Sequence, residues 1–291
     1  MHSLWMLGSG LAFALMGVCV KIAAPHFTAA ELVFWRSATS VAVSAFILAR
    51  MGLALRTRHL GMHMHRGTAG FASMFMFFYA LTELPLATAT TLNYTSPLFV
   101  AILFSMLSRE RMRWPLVVAL LAGFAGAILL LRPSMEAAQL WPALIGLASG
   151  AMAAVAFWNV RKLVDAEEPE ERVVFYFALC CLAGSFVWMV PQPWHRIDAT
   201  NAWPLAGAAV FGTTGQICLT RAYGRGNPLV AATLSYSGIV FAAMLGLAVF
   251  GDMLPTEAWI GIVLIVGAGL AALKVRAPAG ARAVPDPAVS D

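Results

Sequence analysis

Few residues of this 291-residue chain are of a type that does chemistry, and their placement narrows what that chemistry is. Within the long apolar runs and away from the inner face, the charged candidates are Lys21, Glu31 and Arg36. A charge within such a run costs several kcal/mol unless it is paired or functional. Lys21 and Glu31 fall near run ends, where pairing or snorkelling accounts for them. Arg36 lies roughly 10 Å from the nearest end at 1.5 Å per residue. It either clamps a helix carbonyl or receives a carboxylate, and both readings stand. Glu83, Glu110, Asp252 and Glu257 sit at run ends, so no buried carboxylate pair or catalytic constellation is expected. All six histidines read as loop or terminal residues. His59, His63 and His65 have a metal-like spacing but lack a fourth ligand. Cys19, Cys180, Cys181 and Cys218 lie in apolar runs without CxxC spacing and read as packing residues. The expectation is no catalytic residue, no metal, no cofactor and no enzyme; no phosphate-binding P-loop is present either.

The aromatic residues say more. Tyr79, Tyr94, Tyr176 and Tyr236 lie inside apolar runs, as does Trp158. A tyrosine hydroxyl in hydrocarbon needs a partner, which directs these rings to the bundle interior or a wet cavity. Asn93 and Ser235 stand beside two of them. A cavity lined this way suits a neutral or zwitterionic solute with an apolar side chain. The expected substrate-binding set is Tyr79, Asn93, Tyr94, Trp158, Tyr176, Ser235 and Tyr236, together with Arg36.

These residues must be positioned by membrane-spanning helices. The chain is 60% hydrophobic and 11% charged, against about 25% charged residues in a soluble domain. So few charges cannot coat a soluble body of this size. Ten apolar segments appear, near 3–23, 29–50, 66–84, 86–107, 114–131, 140–161, 172–191, 203–222, 228–250 and 257–275. The net charge of +5 comes from basic residues in short loops, which set orientation and do not imply nucleic-acid binding. With the N-terminus in the cytoplasm, only Lys21, Arg132 and Arg196 fall on the outer side. The positive-inside rule then places both termini in the cytoplasm. The first segment has no basic n-region and reads as a retained span.

The chain also repeats itself. A shift of 140 residues brings Leu7, Ser9, Gly10 and Ala14 onto Leu147, Ser149, Gly150 and Ala154; a shift of 142 brings Thr91, Leu92 and Tyr94 onto Thr233, Leu234 and Tyr236. Five spans per half is an odd number, so the halves enter the membrane in opposite senses. The expected fold is an all-α integral membrane protein, with ten transmembrane helices as two inverted five-helix repeats. They are 1–135 and 136–276, followed by a disordered cytoplasmic tail, 277–291. The substrate site is expected near the midplane between the halves.

In Leu7-x-Ser9-Gly10 with Lys21 and Arg36, in Ala80-Leu81 through Pro85-Leu86-Ala87, and in Pro97-Leu98, the chain resembles the EamA-type drug/metabolite transporters. Glu110 with Gly123 and Gly126, and Asp252 with Gly267 and Gly269, extend the resemblance over about 1–276; the family more usually has Glu at the place of Asp252. Within the family the chain is most similar to bacterial aromatic amino acid exporters. The resemblance implies alternating-access export of amino acids, chiefly aromatic and other neutral ones, across the bacterial inner membrane, or else broad drug and metabolite export. The partners implied are a small-molecule substrate and the lipid bilayer, with no nucleic acid and no obligatory protein partner.

Overall fold

The computed structural model describes residues 2–84, 86–107, 113–133, 139–191, 194–251 and 253–275. Glu110, Asp252 and the tail 277–291 lie outside the described residues. Among the described residues there is no β-strand. A short 3-10 turn, His2–Leu4, precedes α1 (Trp5–Ala23), α2 (Ala29–Arg50) and α3 (Leu60–Glu83). Two half-helices follow, α4 (Leu86–Asn93) and α5 (Ser96–Leu107), then α6 (Trp114–Leu131). The second half runs α7 (Leu140–Asp165), α8 (Glu170–Met189) and α9 (Ala202–Arg225). Another broken pair, α10 (Pro228–Ser235) and α11 (Ser237–Leu245), leads through a π turn at Gly246–Phe250 to α12 (Thr256–Lys274).

Among the described residues, eight helical stretches are long and apolar enough to cross a membrane: His2–Ala23, Ala29–Arg50, Thr88–Leu107, Trp114–Leu131, Leu140–Asp165, Glu170–Met189, Pro228–Phe250 and Thr256–Lys274. Helices α3 and α9 are equally long at 24 residues but more polar. The broadest helix contacts pair α1 with α9, α3 with α7, α2 with α8 and α6 with α12.

Local chemistry sets the helix ends. Thr28 and Glu31 form a capping box at the start of α2. Asn227 accepts from the Leu229 and Val230 N–H groups just before Pro228 opens α10. Charged side chains gather at one end of the bundle. There Arg221 donates to Glu170 at 2.7 Å and to Glu171 at 3.0 Å, and Arg225 pairs with Glu170 at 2.6 Å. Glu168, between α7 and α8, accepts from Thr57 and from Arg172. Burial pushes the Glu168 carboxyl up, but these hydrogen bonds outweigh it and hold the group below its ordinary 4.5. At the opposite end His195 meets Glu31 at 2.9 Å and Arg132 pairs with Glu257.

One detail differs from the sequence expectation. Helix α3 begins at Leu60, six residues earlier than the apolar pattern, so His63 and His65 are helical and not loop residues. His63 is fully buried, 3.4 Å from Glu168, with its ring 4.5 Å from that of Tyr176. Glu31 is buried too; it is both a helix cap and the partner of His195. The Glu168 carboxylate accompanies His63 in a position that hydropathy alone leaves in a loop.

Candidate functional site

Both half-helix pairs break at a tyrosine. Tyr94 and Thr95 separate α4 from α5, and Tyr236 alone separates α10 from α11. Around the first break the Thr95 hydroxyl donates to the Leu92 carbonyl at 2.6 Å, and the Asn93 amide donates to Ser149 Oγ at 3.0 Å. Pro97 follows the break and has no N–H to continue the helical ladder. At the second break Gly10 of α1 allows a close approach: a Cβ there would lie 3.0 Å from the Gly238 nitrogen of α11.

A cavity of about 260 Å³ opens between the two breaks. Helix α1 supplies Met6, Ser9, Gly10, Phe13 and Ala14, while the first break supplies Asn93, Tyr94 and Ser96. Phe157 enters from α7, Leu219 and Tyr223 from α9, and Ser235, Gly238 and Ala242 from the second break. No lining residue carries a formal charge. The walls are held by specific contacts. Ser9 donates to the Gly215 carbonyl at 2.9 Å, tying α1 to α9. Phe157 and Tyr223 stack at 4.4 Å with planes 12° apart. On the same wall the Ser235 hydroxyl donates to the Ala232 carbonyl at 2.7 Å.

Of the residues expected from sequence, Asn93, Tyr94 and Ser235 lie on this wall. Tyr236 is fully buried behind it, its ring 6.3 Å from both Tyr94 and Phe124. Trp158 points away from it, edge-on to Phe104 at 4.7 Å with the Lys162 ammonium over its face. Tyr79 is 37% exposed on the outside of α3. Tyr176 sits at the charged end and donates to the Leu55 carbonyl at 3.0 Å. Arg36 lies one layer beyond the cavity, among Met16, Met74 and Gln216.

Sequence reasoning did not single out Phe13, Phe157 or Tyr223. Tyr223 was hidden because α9 runs to Arg225, three residues past the apolar segment. Phe157 neighbours Trp158, and only the helix rotation decides which of the two rings turns inward. Ser9 and Gly10 were visible in the internal match, though not as cavity residues.

The EamA-like transporter family profile matches the chain twice, over residues 1–132 and 140–273. The pseudopaline exporter CntI of Pseudomonas aeruginosa is 31% identical over 272 residues, covering 92% of this chain and 94% of that protein. A riboflavin transporter of Vibrio cholerae is 29% identical, covering 91% and 90%. An S-adenosylmethionine uptake transporter of Rickettsia prowazekii is 24% identical with the same coverages. A solved crystal structure with 20% identity superposes with a TM-score of 0.83, covering 93% of this chain and 96% of that one, which supports the fold alone. These likenesses support the family and not the narrower resemblance to aromatic amino acid exporters.

Proposed function

The chain belongs to the EamA-like transporter family, and from that premise we propose that it exports small zwitterionic metabolites, chiefly aromatic and other neutral amino acids, by alternating access across the bacterial inner membrane. It is a multi-pass membrane transporter and not an enzyme. The observation that carries the substrate reading is the uncharged, aromatic cavity at the two helix breaks. Its 260 Å³ falls just below the roughly 300–1,000 Å³ of drug-sized ligand sites, which favours a solute of amino acid size. Helices α4 and α10 end at the cavity, and α5 and α11 begin there. Helix N-termini carry partial positive charge and C-termini partial negative charge, a pairing that suits a carboxylate and an ammonium on one small molecule.

Ten spans in two inverted repeats, with both termini cytoplasmic, complete the reading. The breaks fall 142 residues apart, and the family profile matches each half separately. The broad helix contacts map onto themselves when the halves are exchanged: α1 with α9 becomes α7 with α3, while α2 with α8 and α6 with α12 are unchanged. The end rich in arginine is then the cytoplasmic end.

A second reading, export of larger metabolites, is favoured by the relatives named for pseudopaline and riboflavin. Uptake of labelled tryptophan and phenylalanine into proteoliposomes, with riboflavin as competitor and with or without a pH gradient, separates the two. Saturable amino acid flux is expected. Riboflavin flux without amino acid flux would replace the first reading by the second. Flux is also expected to survive Glu31→Gln, because Glu31 is occupied as a cap and as the partner of His195.

A further inference from the structure

Two arginines lie inside the bundle where neither the cavity nor the charged ends account for them. Arg36 of α2 directs Nη1 and Nη2 at the sulfurs of Met16 and Met74, 4.0 and 3.9 Å away. Thioethers are weak acceptors and leave a guanidinium undersatisfied. Arg66 of α3 is 2% exposed and lies over the Phe177 ring at 4.0 Å. Its Nε and Nη1 have no hydrogen-bond partner. Among the described residues, neither guanidinium forms an ion pair with a carboxylate. Arg66 is fully buried and Arg36 half-buried, and uncompensated charge inside a membrane-spanning bundle is destabilising.

The polar groups around them are arranged as donors. A pocket of about 10 Å³ between α2, α8 and α9 is walled in part by Arg36, Ser37, Phe177, Cys181 and Gln216. Ser37 Oγ and Gln216 Nε2 are buried without partners as well. Phe177 joins the two arginines: it lines the pocket with Arg36 and carries Arg66 on its ring. Unpaired donors thus come together with two fixed positive charges, and no acidic side chain lines the pocket.

The pocket also adjoins the transport cavity. A Cβ at Gly215 of α9 would lie 2.9 Å from Phe13, which lines the cavity. One turn away on α9, a Cβ at Gly212 would lie 2.8 Å from Arg36 Cδ and 2.9 Å from the Met16 sulfur. Nor does the repeat call for these charges. At shifts of 140–142 residues Arg36 falls on Tyr176, Phe177 and Ala178, and Arg66 on Ala206, Gly207 and Ala208.

We infer that Arg36 and Arg66 form an anion station one helical turn beyond the cavity, which binds the carboxylate of the transported solute during its passage. The identity of the solute rests on the function proposed above; the demand for an anion does not. The pocket now has room for about one water, so the carboxylate enters as α2, α8 and α9 part. Two parallel N–H···O bonds from an arginine fork are the geometry a carboxylate takes best.

The test is thermal unfolding of the purified full-length chain, in chloride buffer, with four probes. They are tryptophan, tryptamine (which lacks the carboxylate), indole-3-acetate (which lacks the ammonium) and citrate. Stabilisation is expected from tryptophan and indole-3-acetate and not from tryptamine. In Arg36→Met and in Arg66→Met the apparent Kd for the carboxylate probes should rise about ten- to a hundredfold, the range of a charge-assisted hydrogen bond. The unliganded melting temperature should hold or rise, because an unpaired charge inside the bundle has been removed. Gly70→Ala supplies a second variant, since its methyl would run into Arg66 Nη1 and shift the guanidinium without removing its charge; it too should weaken the carboxylate probes. Arginine-dependent stabilisation by citrate, with none from the indole probes, would end the aromatic amino acid reading and leave the anion station standing. Unchanged carboxylate affinity in both methionine variants would overturn the station, whether or not their unliganded melting temperatures fall. Stabilisation by tryptamine equal to that by tryptophan would overturn it as well.

Discussion

At the break between α4 and α5, Tyr94 faces the cavity, with its hydroxyl 3.3 Å from where a Cβ on Gly238 would stand. At the break between α10 and α11, Tyr236 occupies the matching place 142 residues on, yet it is fully buried and its hydroxyl has no partner. The difference follows from what stands opposite. Tyr236 lies over Gly123 of α6, where a Cβ would come within 2.7 Å of its ring. The same shift carries Gly123 to Ile265 of α12, a buried β-branched residue that leaves no such slot. A repeat therefore determines where a helix is interrupted, while the side chains across the gap decide whether the ring there fills the core or faces the cavity.

The largest effect expected from this comparison is on stability. Tyr236→Ala should cost about 3–5 kcal/mol in unfolding of the purified protein, the cost of emptying a large buried aromatic site. Tyr236→Phe should be neutral or stabilising, because it removes a buried hydroxyl that has no partner. If Tyr236→Ala kept full stability and lost only substrate affinity, the distinction between the two breaks would collapse.

A smaller effect is expected at the first break, and in a different observable. Tyr94→Ala should weaken tryptophan recognition by up to about tenfold, since a ring–ring contact contributes about 0.5–1.5 kcal/mol beyond area burial. Trp158→Ala, which points away from the cavity, should leave recognition close to wild type. A proteoliposome assay at matched protein amounts reads both. Equal losses from Tyr94→Ala and Trp158→Ala would mean that the cavity wall has been drawn on the wrong helix face.

The smallest expected effect is a null that separates both breaks from the charged end. The Glu168 carboxyl is held below its ordinary 4.5, so its contribution is fully present above that value and is lost only as pH falls through the lower folded value. Melting temperatures taken between pH 7 and pH 5 should therefore show no loss from the Glu168 contacts with Thr57 and Arg172. A loss across that interval that vanishes in Glu168→Gln would reverse the sign assigned to this group.

Much of the architecture is legible in the sequence because the bilayer imposes it. Hydropathy and short Pro- or Arg-containing loops locate the helices, and Tyr94 and Tyr236, matched by the internal repeat, stand at both interruptions. The polar helices are harder to read. The first turns of helix α3 contain His63, His65 and Arg66, which hydropathy alone assigns to a loop, whereas in the structure His63 packs against Glu168 and Arg66 lies over the Phe177 ring. Part of the cavity is legible too, because Asn93, Tyr94 and Ser235 flank the breaks.

Composition and spacing suffice for the class, the family likeness, the loop charges and the chain's match to itself, since these are properties of the chain read in one dimension. Tertiary packing alone settles that Phe157 and not Trp158 faces the cavity, that Tyr223 joins it, that Tyr176 belongs to the charged end, and that Arg36 and Arg66 share Phe177. These outcomes depend on helix rotation and on which small residue stands opposite which ring. Helices packed against one another settle both through steric contact, and no local pattern in the chain records the result.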